Sequence, residues 1–374
     1  MIIISPDKFK FSLTSFEVAS AMRTAVSELF PEQKSDILLL SDGGEGTSRI
    51  LSEYYKAKEI KTCVKNAVFE PVNNVYFYSE IHKTAFINFA QAAGLENLKN
   101  EYRNPMNTSS FGVGEMILDA IKIGAGTIYL CLGGSATNDA GIGLAAALGY
   151  KFYDKDGFEI EPTGKNLINI KKIDDKNLKF DKKTIKFVVL CDVRNTLYGE
   201  NGAAKVYAKQ KGANDFEIEI LEQGLRNFAE IVKSQFDIDF SDKEFAGAAG
   251  GAGAGAFVFL GAQLKSGIEE LIRISDFEKR AKEAKVIITG EGKVDKQTLS
   301  GKLIKGISDI SKRTGTKLCA VCGSNELSEA DLQSLNISII KSLSENSSDI
   351  ELDKNKSKKK VYLKTLELLD CLEL

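Results

Sequence analysis

Several acidic residues of the chain stand in glycine-rich stretches that follow apolar runs. Asp42 lies in SDGGEGT, Asp139 in GGSATND, Asp192 in LCDVRN and Glu291 in TGEGKVD. Carboxylates accept protons or bind Mg²⁺, and glycines let a backbone approach a phosphate closely. His82 is the single histidine, which excludes a multi-histidine metal site and leaves Asp, Glu or Lys as the general base. This combination predicts Mg²⁺-dependent phosphoryl transfer.

The stretch 127–149 reads TIYLCLGGSATNDAGIGLAAALG and predicts a strand, a tight loop and a helix. Free N–H groups at the start of such a helix favour an anion, and phosphate is the prime candidate. The glycine spacing fits neither G-x-G-x-x-G nor the P-loop, so a merely tight strand-to-helix turn is an equal alternative.

Asp192 and Asp42 are the two candidates for the general base. A buried strand is predicted over residues 185–190 and delivers Asp192 to its carboxyl end. The alternative for Asp192 is the capping of a turn by its side chain. Asp42 and Glu45 lie where a helix is predicted to start, so they either complement the helix dipole or hold Mg²⁺.

The composition is that of an ordinary globular protein. Its 374 residues suffice for about two domains, and 50 Lys+Arg against 52 Asp+Glu give a net charge of −2. This balance argues against nucleic acid or an anionic membrane as a partner, and no apolar run reaches transmembrane length. Three of the six cysteines, Cys131, Cys191 and Cys319, lie in strand-like runs. Without a signal-peptide pattern, we expect a cytoplasmic protein with reduced thiols.

Strands and helices are predicted to alternate along much of the chain. A first strand ends at Pro6, and an amphipathic helix follows over 15–29. Short strands between residues 61 and 89 predict a hairpin with its bend at Asn73–Asn74. Residues 245–259 predict a close-packed glycine loop that enters a helix, and the Lys-rich run 354–360 predicts a linker. Ligands of open α/β sheets bind at the carboxyl ends of strands, so the acidic loops are expected to converge on one crevice.

Seven motifs, in this order along nearly the whole chain, resemble those of the bacterial (type I) glycerate kinase family: SPDKFK, SDGGEGT, RNPMNTSSFGVGE, GGSATNDAGIGLAAALG, CDVRNTLYGENGAAKVYAKQKGA, AGAAGGAGAG and TGEGKVDKQT. The resemblance implies ATP-dependent phosphorylation of D-glycerate, with 2-phosphoglycerate favoured over 3-phosphoglycerate, at a cleft between two domains. It also implies an α/β fold in which a mixed α/β domain is inserted into a Rossmann-like, parallel-sheet α/β domain. We place the Rossmann-like domain at residues 1–60 and 285–374, and the inserted domain, with the GGSATND and CDV loops, at 61–284.

Roles for individual residues follow from the resemblance together with the residue chemistry. The candidate catalytic residues are Asp192, Asp42 and Lys10. The candidate ATP-binding residues are Gly133, Gly134, Ser135, Ala136, Thr137, Asn138, Gly290, Glu291 and Gly292. The candidate glycerate-binding residues are Asp7, Lys8, Lys10, Gly43, Gly44 and Lys211. The candidate Mg²⁺ ligands are Asp42, Glu45 and Asp295.

The chain departs from the family pattern at three places. Lys8 and Phe11 replace a small residue and a glycine, Thr196 replaces a proline after Asn195, and Lys293 stands where arginine is common. A catalytically silent protein that binds ATP and an organic acid is one alternative, and Lys8 and Phe11 support it. A dinucleotide-dependent oxidoreductase of a small hydroxy acid is another, although no G-x-G-x-x-G precedes an acid about twenty residues on. A homodimer is left open.

Overall fold

The computed structural model describes residues 1–9, 12–44, 46–300, 303–344 and 353–372. The chain forms two compact units. The flanking unit consists of Met1–Asp42 and Ile268–Leu374, and the inserted unit consists of Gly43–Gly267. The domain boundaries placed near residues 60 and 285 stay a prediction.

Strands and helices alternate along most of the chain. The first segment of the flanking unit contains β1 (Ile2–Pro6), α1 (Ser15–Leu29) and β2 (Ser35–Ile37). The inserted unit contains α2 (Thr47–Tyr54), β3 (Lys58–Lys65), β4 (Pro71–Ser79), β5 (Thr84–Asn88), α3 (Phe89–Ala93), α4 (Phe111–Lys122), β6 (Thr127–Cys131), α5 (Ile142–Ala147), β7 (Lys151–Tyr153), β8 (Lys172–Asp174), β9 (Lys186–Cys191), α6 (Ala203–Tyr207), α7 (Asp215–Phe236), α8 (Ala248–Leu260) and β10 (Gln263–Ser266). The chain continues with α9 (Gly267–Ile274), α10 (Phe277–Glu283), β11 (Val286–Gly290), β12 (Lys293–Val294), α11 (Leu303–Thr314), β13 (Lys317–Cys322), β14 (Ser324–Asn325), α12 (Glu329–Ser334), β15 (Ile337–Ser342) and α13 (Lys354–Leu369).

The flanking unit is built on a parallel five-stranded sheet in the order β15-β13-β11-β1-β2. Every residue of β1 and β11 is buried, as expected of central parallel strands with covered faces. The helix predicted over 15–29 is confirmed, and Thr14 and Glu17 form a capping box at its start. The linker predicted over 354–360 is wrong, because these residues form the first turns of α13, which Asp353 caps.

The inserted unit is built on a mixed six-stranded sheet in the order β10-β9-β6-β5-β4-β3. Strands β10, β9, β6 and β5 run parallel, whereas β5, β4 and β3 pair antiparallel. The predicted fold class is therefore confirmed: a mixed α/β domain is inserted into a parallel-sheet α/β domain. Asn73 and Asn74 lie within β4 rather than at a bend. The turn comes earlier, where Asn66 Oδ1 accepts the N–H groups of Val68 and Glu70.

Helix α8 confirms the close packing predicted for residues 245–259. Its first part contains Ala249, Gly250 and Gly251 with positive φ. A Cβ on Gly250 would lie 2.0 Å from the carbonyl oxygen of Thr137, so only glycine fits there. This contact holds α8 against the loop after β6. Within the described residues, no helix combines the length and the apolar character needed to cross a membrane.

Candidate functional site

The structure places the predicted site residues in two groups, one in each unit. The flanking unit carries Asp7, Lys8, Asp42, Gly290, Glu291, Gly292 and Asp295. The inserted unit carries Gly43, Gly44, Gly133, Gly134, Ser135, Ala136, Thr137, Asn138, Asp192 and Lys211. Lys10 and Glu45 lie outside the described residues, as does Phe11.

The loop after β6 is organised by Asp139, whose side chain is fully buried. Its Oδ2 accepts hydrogen bonds from Ser110 N and Oγ, both at 2.7 Å, and from Gly143 N at 3.2 Å. Its Oδ1 accepts one from Gly141 N at 3.0 Å. Burial raises the pKa of Asp139, and these hydrogen bonds oppose the rise. Asp139 therefore occupies the N–H groups of Gly141 and Gly143 at the start of this helix, and the anion site predicted for the loop after β6 stays a prediction.

Lys211 lies against the same loop and is only 4% exposed. Its Nζ donates hydrogen bonds to Ser135 Oγ at 2.9 Å and to the carbonyl oxygen of Thr137 at 2.7 Å. Burial lowers the pKa of Lys211 to about 7, and the nearby charge of Asp139 opposes this effect. Lys211 thus ties the segment after α6 to the loop after β6.

The side chains of Thr137 and Asn138 complete this loop, and both residues are fully buried. Among the described residues, the Thr137 hydroxyl and both polar atoms of the Asn138 amide have no hydrogen-bond partner. Sequence reasoning assigned these two residues to a phosphate loop and did not single out their side chains. The signal that could have found them was a hydroxyl and an amide side by side in a stretch dominated by glycine and alanine.

Asp192 is exposed and follows β9 directly. Gly43 has a φ of +103°, and a Cβ there would lie 3.1 Å from Cys191 N, so the Gly43 backbone packs against this strand end. Burial and the charge of Asp192 both raise the pKa of Tyr207. The Tyr207 hydroxyl donates to Asn195 Oδ1 at 2.7 Å and holds the segment after Asp192.

In the flanking unit, β1 and β11 end side by side, with Pro6 paired with Gly290. The N–H of Asp7 donates to the carbonyl oxygen of Gly290 at 2.7 Å, and Asp7 Oδ1 accepts from Lys8 N at 2.7 Å. A Cβ on Gly290 would lie 2.0 Å from the carbonyl oxygen of Val321, so this position requires glycine. The backbone at the start of the TGEGKVD loop is therefore held by the end of β1 on one side and by β13 on the other.

Glu291 and Asp295 are the two acids of that loop. Glu291 is 7% exposed, and its Oε1 accepts a hydrogen bond from the Thr298 hydroxyl. Asp295 Oδ1 accepts from Gln297 N at 2.8 Å. In the described part of the chain, no group of three or more His, Cys, Asp or Glu side chains is arranged to hold a metal ion. Mg²⁺ takes one or two carboxylates together with waters and phosphate oxygens, so the carboxylates of Asp42 and Asp295 suit it chemically.

Comparisons with known proteins agree with one another. A model of the glycerate kinase family matches residues 2–370. The chain is 39% identical to the glycerate 2-kinase of Escherichia coli K12 over 323 residues, which cover 86% of this chain and 85% of that protein. It is 37% identical to the glycerate kinase of Bacillus subtilis 168 over 323 residues, with the same coverage of 86% and 85%. The crystal structure of a putative glycerate kinase 2 from Salmonella typhimurium LT2 superposes with a TM-score of 0.87 at 33% identity, covering 99% of this chain and 97% of that one.

Proposed function

Because the chain belongs to the glycerate kinase family and is therefore a kinase, we propose that it transfers the γ-phosphoryl group of ATP to D-glycerate with Mg²⁺ as cofactor. The observation that carries this proposal is the family match over residues 2–370. We further propose 2-phosphoglycerate as the product. The name of the Escherichia coli relative, glycerate 2-kinase, supports phosphorylation at C2.

We assign the role of general base to Asp192. Its carboxylate is exposed at the end of a buried strand, where a substrate hydroxyl group can reach it. A general base has to lie within hydrogen-bond reach of the proton that it accepts, and a positioned base contributes about 10²- to 10⁴-fold to the rate. Asp42 is the alternative base. If Asp192 accepts the proton, Asp42 binds Mg²⁺ together with Glu45 and Asp295.

The remaining proposed roles concern binding. Of the predicted phosphate-binding loop after β6, the backbone N–H groups of Gly133 to Ser135, together with those of Gly290 to Gly292, bind the phosphates of ATP. The N–H of Ala136 donates to the carbonyl oxygen of Ala93 instead. Lys10 or Lys211 binds the glycerate carboxylate. Mg²⁺, when bound, offsets the negative charge of the phosphates. Positioning of the substrate is expected to exceed the contribution of the base.

The experiment that tests the function is ³¹P NMR of the protein with ATP, Mg²⁺ and D-glycerate, with and without EDTA. We expect ADP and a phosphomonoester to appear only without EDTA. Coupling to one proton splits the phosphorus signal of 2-phosphoglycerate into a doublet, whereas the two C3 protons of 3-phosphoglycerate give a triplet. A triplet would overturn the proposed product alone. Intact ATP would overturn glycerate kinase activity and leave the catalytically silent binding protein as the function to test.

A further inference from the structure

Unpartnered polar atoms cluster at one place in the inserted unit. Buried polar groups in folded proteins nearly always have hydrogen-bond partners, so each exception needs an explanation. Among the described residues, Thr137 Oγ1, Asn138 Oδ1 and Asn138 Nδ2 are buried without a partner and belong to consecutive residues. The other buried unpartnered side-chain atoms belong to separate residues, Ser12, Asn74, Glu222 and Ser308.

The polar groups around these three atoms are already paired with one another. Asp139 accepts from Ser110, Gly141 and Gly143, and Lys211 Nζ donates to Ser135 Oγ and to the Thr137 carbonyl oxygen. The loop framework is thus complete without the side chains of Thr137 and Asn138. Donors and acceptors that this framework leaves unused are available to a ligand once the loop opens.

We propose that the side chains of Thr137 and Asn138, which the sequence analysis assigns to ATP, instead bind the hydroxy-acid substrate through its hydroxyl and carboxylate groups, next to Lys211 Nζ. This inference rests on the proposed function, because it names the ligand of the same enzyme. In its protonated form the Lys211 amine has three donors, and the structure uses two of them, so one remains for the carboxylate. Since both side chains are shielded from solvent in this structure, binding includes a local opening of the loop.

The chemistry of the unpartnered atoms favours a hydroxy acid over a phosphate group. A phosphate of ATP mainly accepts hydrogen bonds, so it would satisfy Asn138 Nδ2 and leave Asn138 Oδ1 unpaired. A hydroxyl group beside a carboxylate donates one hydrogen bond and accepts several, so it satisfies both ends of the amide and the Thr137 hydroxyl. Either orientation of the amide leads to the same ligand, because both of its polar atoms lack partners among the described residues.

The test compares the full-length wild type with Thr137→Val and Asn138→Ala, and uses Thr137→Ser as the control that keeps the hydroxyl group. Isothermal titration calorimetry gives the Kd of D-glycerate and, separately, of Mg-ATP. We expect each of the two test variants to weaken glycerate binding about tenfold or more and to leave the Kd of Mg-ATP within about twofold. Thr137→Ser is expected to bind glycerate like the wild type.

The stability of the ligand-free protein is a second readout. Thr137→Val keeps the shape of the side chain and removes a buried hydroxyl without a partner, so its melting temperature is expected to equal or exceed that of the wild type. A lower melting temperature, a weakened Mg-ATP affinity or an unchanged glycerate affinity would each overturn the inference. The ³¹P NMR experiment on the wild type tests the proposed function separately. If the wild type phosphorylates D-glycerate but the variants bind D-glycerate normally, only this inference is overturned.

Discussion

Asp192 combines exposure with a fixed backbone. Strand β9 ends at Cys191, and the Tyr207 hydroxyl holds Asn195 three residues after Asp192. We predict that Asp192→Asn lowers kcat about 10²- to 10⁴-fold, because an amide keeps the shape of the side chain and cannot accept the proton. The KM for ATP is expected to stay nearly constant, since a base acts in the transition state. Steady-state kinetics with varied D-glycerate and varied Mg-ATP measure both quantities.

Asp42→Asn is the matched comparison for this prediction. If Asp42 binds Mg²⁺, the loss of activity in Asp42→Asn is partly recovered at high Mg²⁺ concentration, whereas the loss in Asp192→Asn is not. Nearly normal turnover of Asp192→Asn would remove Asp192 as the base and leave Asp42 as the remaining candidate.

Lys211 predicts a dependence of stability on pH. Burial lowers its pKa to about 7 in the folded protein, against an ordinary value of 10.5 for the unfolded chain. Between these two values the unfolded state binds more protons, so the contribution of Lys211 to the free energy of unfolding rises with pH, by at most about 1.4 kcal/mol per pH unit. We predict that Lys211→Met lacks this rise. Urea unfolding of wild type and variant at several pH values between about 7 and 10 measures the difference.

Lys209→Met is the control for Lys211→Met. Lys209 lies two residues earlier, its side chain is 75% exposed, and it pairs with Asp215 at 3.1 Å. Its removal is expected to leave the pH dependence of the wild type in place. The same pH dependence in Lys211→Met and in the wild type would show that the Lys211 amine keeps its ordinary pKa in the folded protein.

At the scale of elements, Asp139 connects the start of α5 with Ser110 at the start of α4. Asn in its place has one acceptor oxygen and turns an NH₂ group toward donors, so we expect Asp139→Asn to reduce the free energy of unfolding by about 2–4 kcal/mol. Thermal melting followed by circular dichroism measures the loss. Asp154→Asn is the control, because Asp154 caps a surface turn through Asp156 N and Phe158 N, and we expect it to lose about 1 kcal/mol or less. Equal losses would contradict the role given to Asp139.

Local patterns predicted some elements and missed others for physical reasons. The helix over 15–29 carries its own signals, an amphipathic pattern and the capping pair Thr14 and Glu17, and it forms as predicted. Asn73 and Asn74 favour turns in isolation, yet strand pairing with β3 overrides this preference.

The sequence does not reveal that the N–H groups at the start of α5 are occupied, because Asp139 and Ser110, which stands 29 residues earlier, meet only in the folded chain. The burial of the Lys211 side chain likewise arises only from contacts in the folded chain. From the sequence alone, a lysine next to glycine is typical of a solvated loop.

At the scale of the whole molecule, the resemblance to the glycerate kinase family implies the insertion of one α/β domain into another, and the change to short, hairpin-like strands after Lys61 only suggests where the inserted domain begins. The exact boundaries depend on which core each helix packs against, and this is a property of tertiary contacts. Helix α2 is an example: the Ser79 hydroxyl of β4 donates to the carbonyl oxygen of Tyr55, just after α2, at 2.7 Å. The Tyr55 ring also lies 5.0 Å from that of Phe86 in β5.

The boundaries predicted near residues 60 and 285 and the limits of the inserted unit, Gly43–Gly267, lead to different expectations for isolated fragments. We expect residues 43–267 to fold alone, because this continuous segment contains the whole mixed sheet and its own hydrophobic cores. A fragment of residues 61–284 lacks α2 and ends in α9 and α10, which pack in the flanking unit, where Thr316 Oγ1 donates to the carbonyl oxygen of Ala281 at 2.7 Å. We therefore expect the first fragment to show a cooperative thermal transition and a near-ultraviolet circular dichroism signal, and the second to melt at a lower temperature and to aggregate. Equal stability of the two fragments would instead favour the boundaries near residues 60 and 285, since the contacts of α2 would then add nothing to the inserted unit.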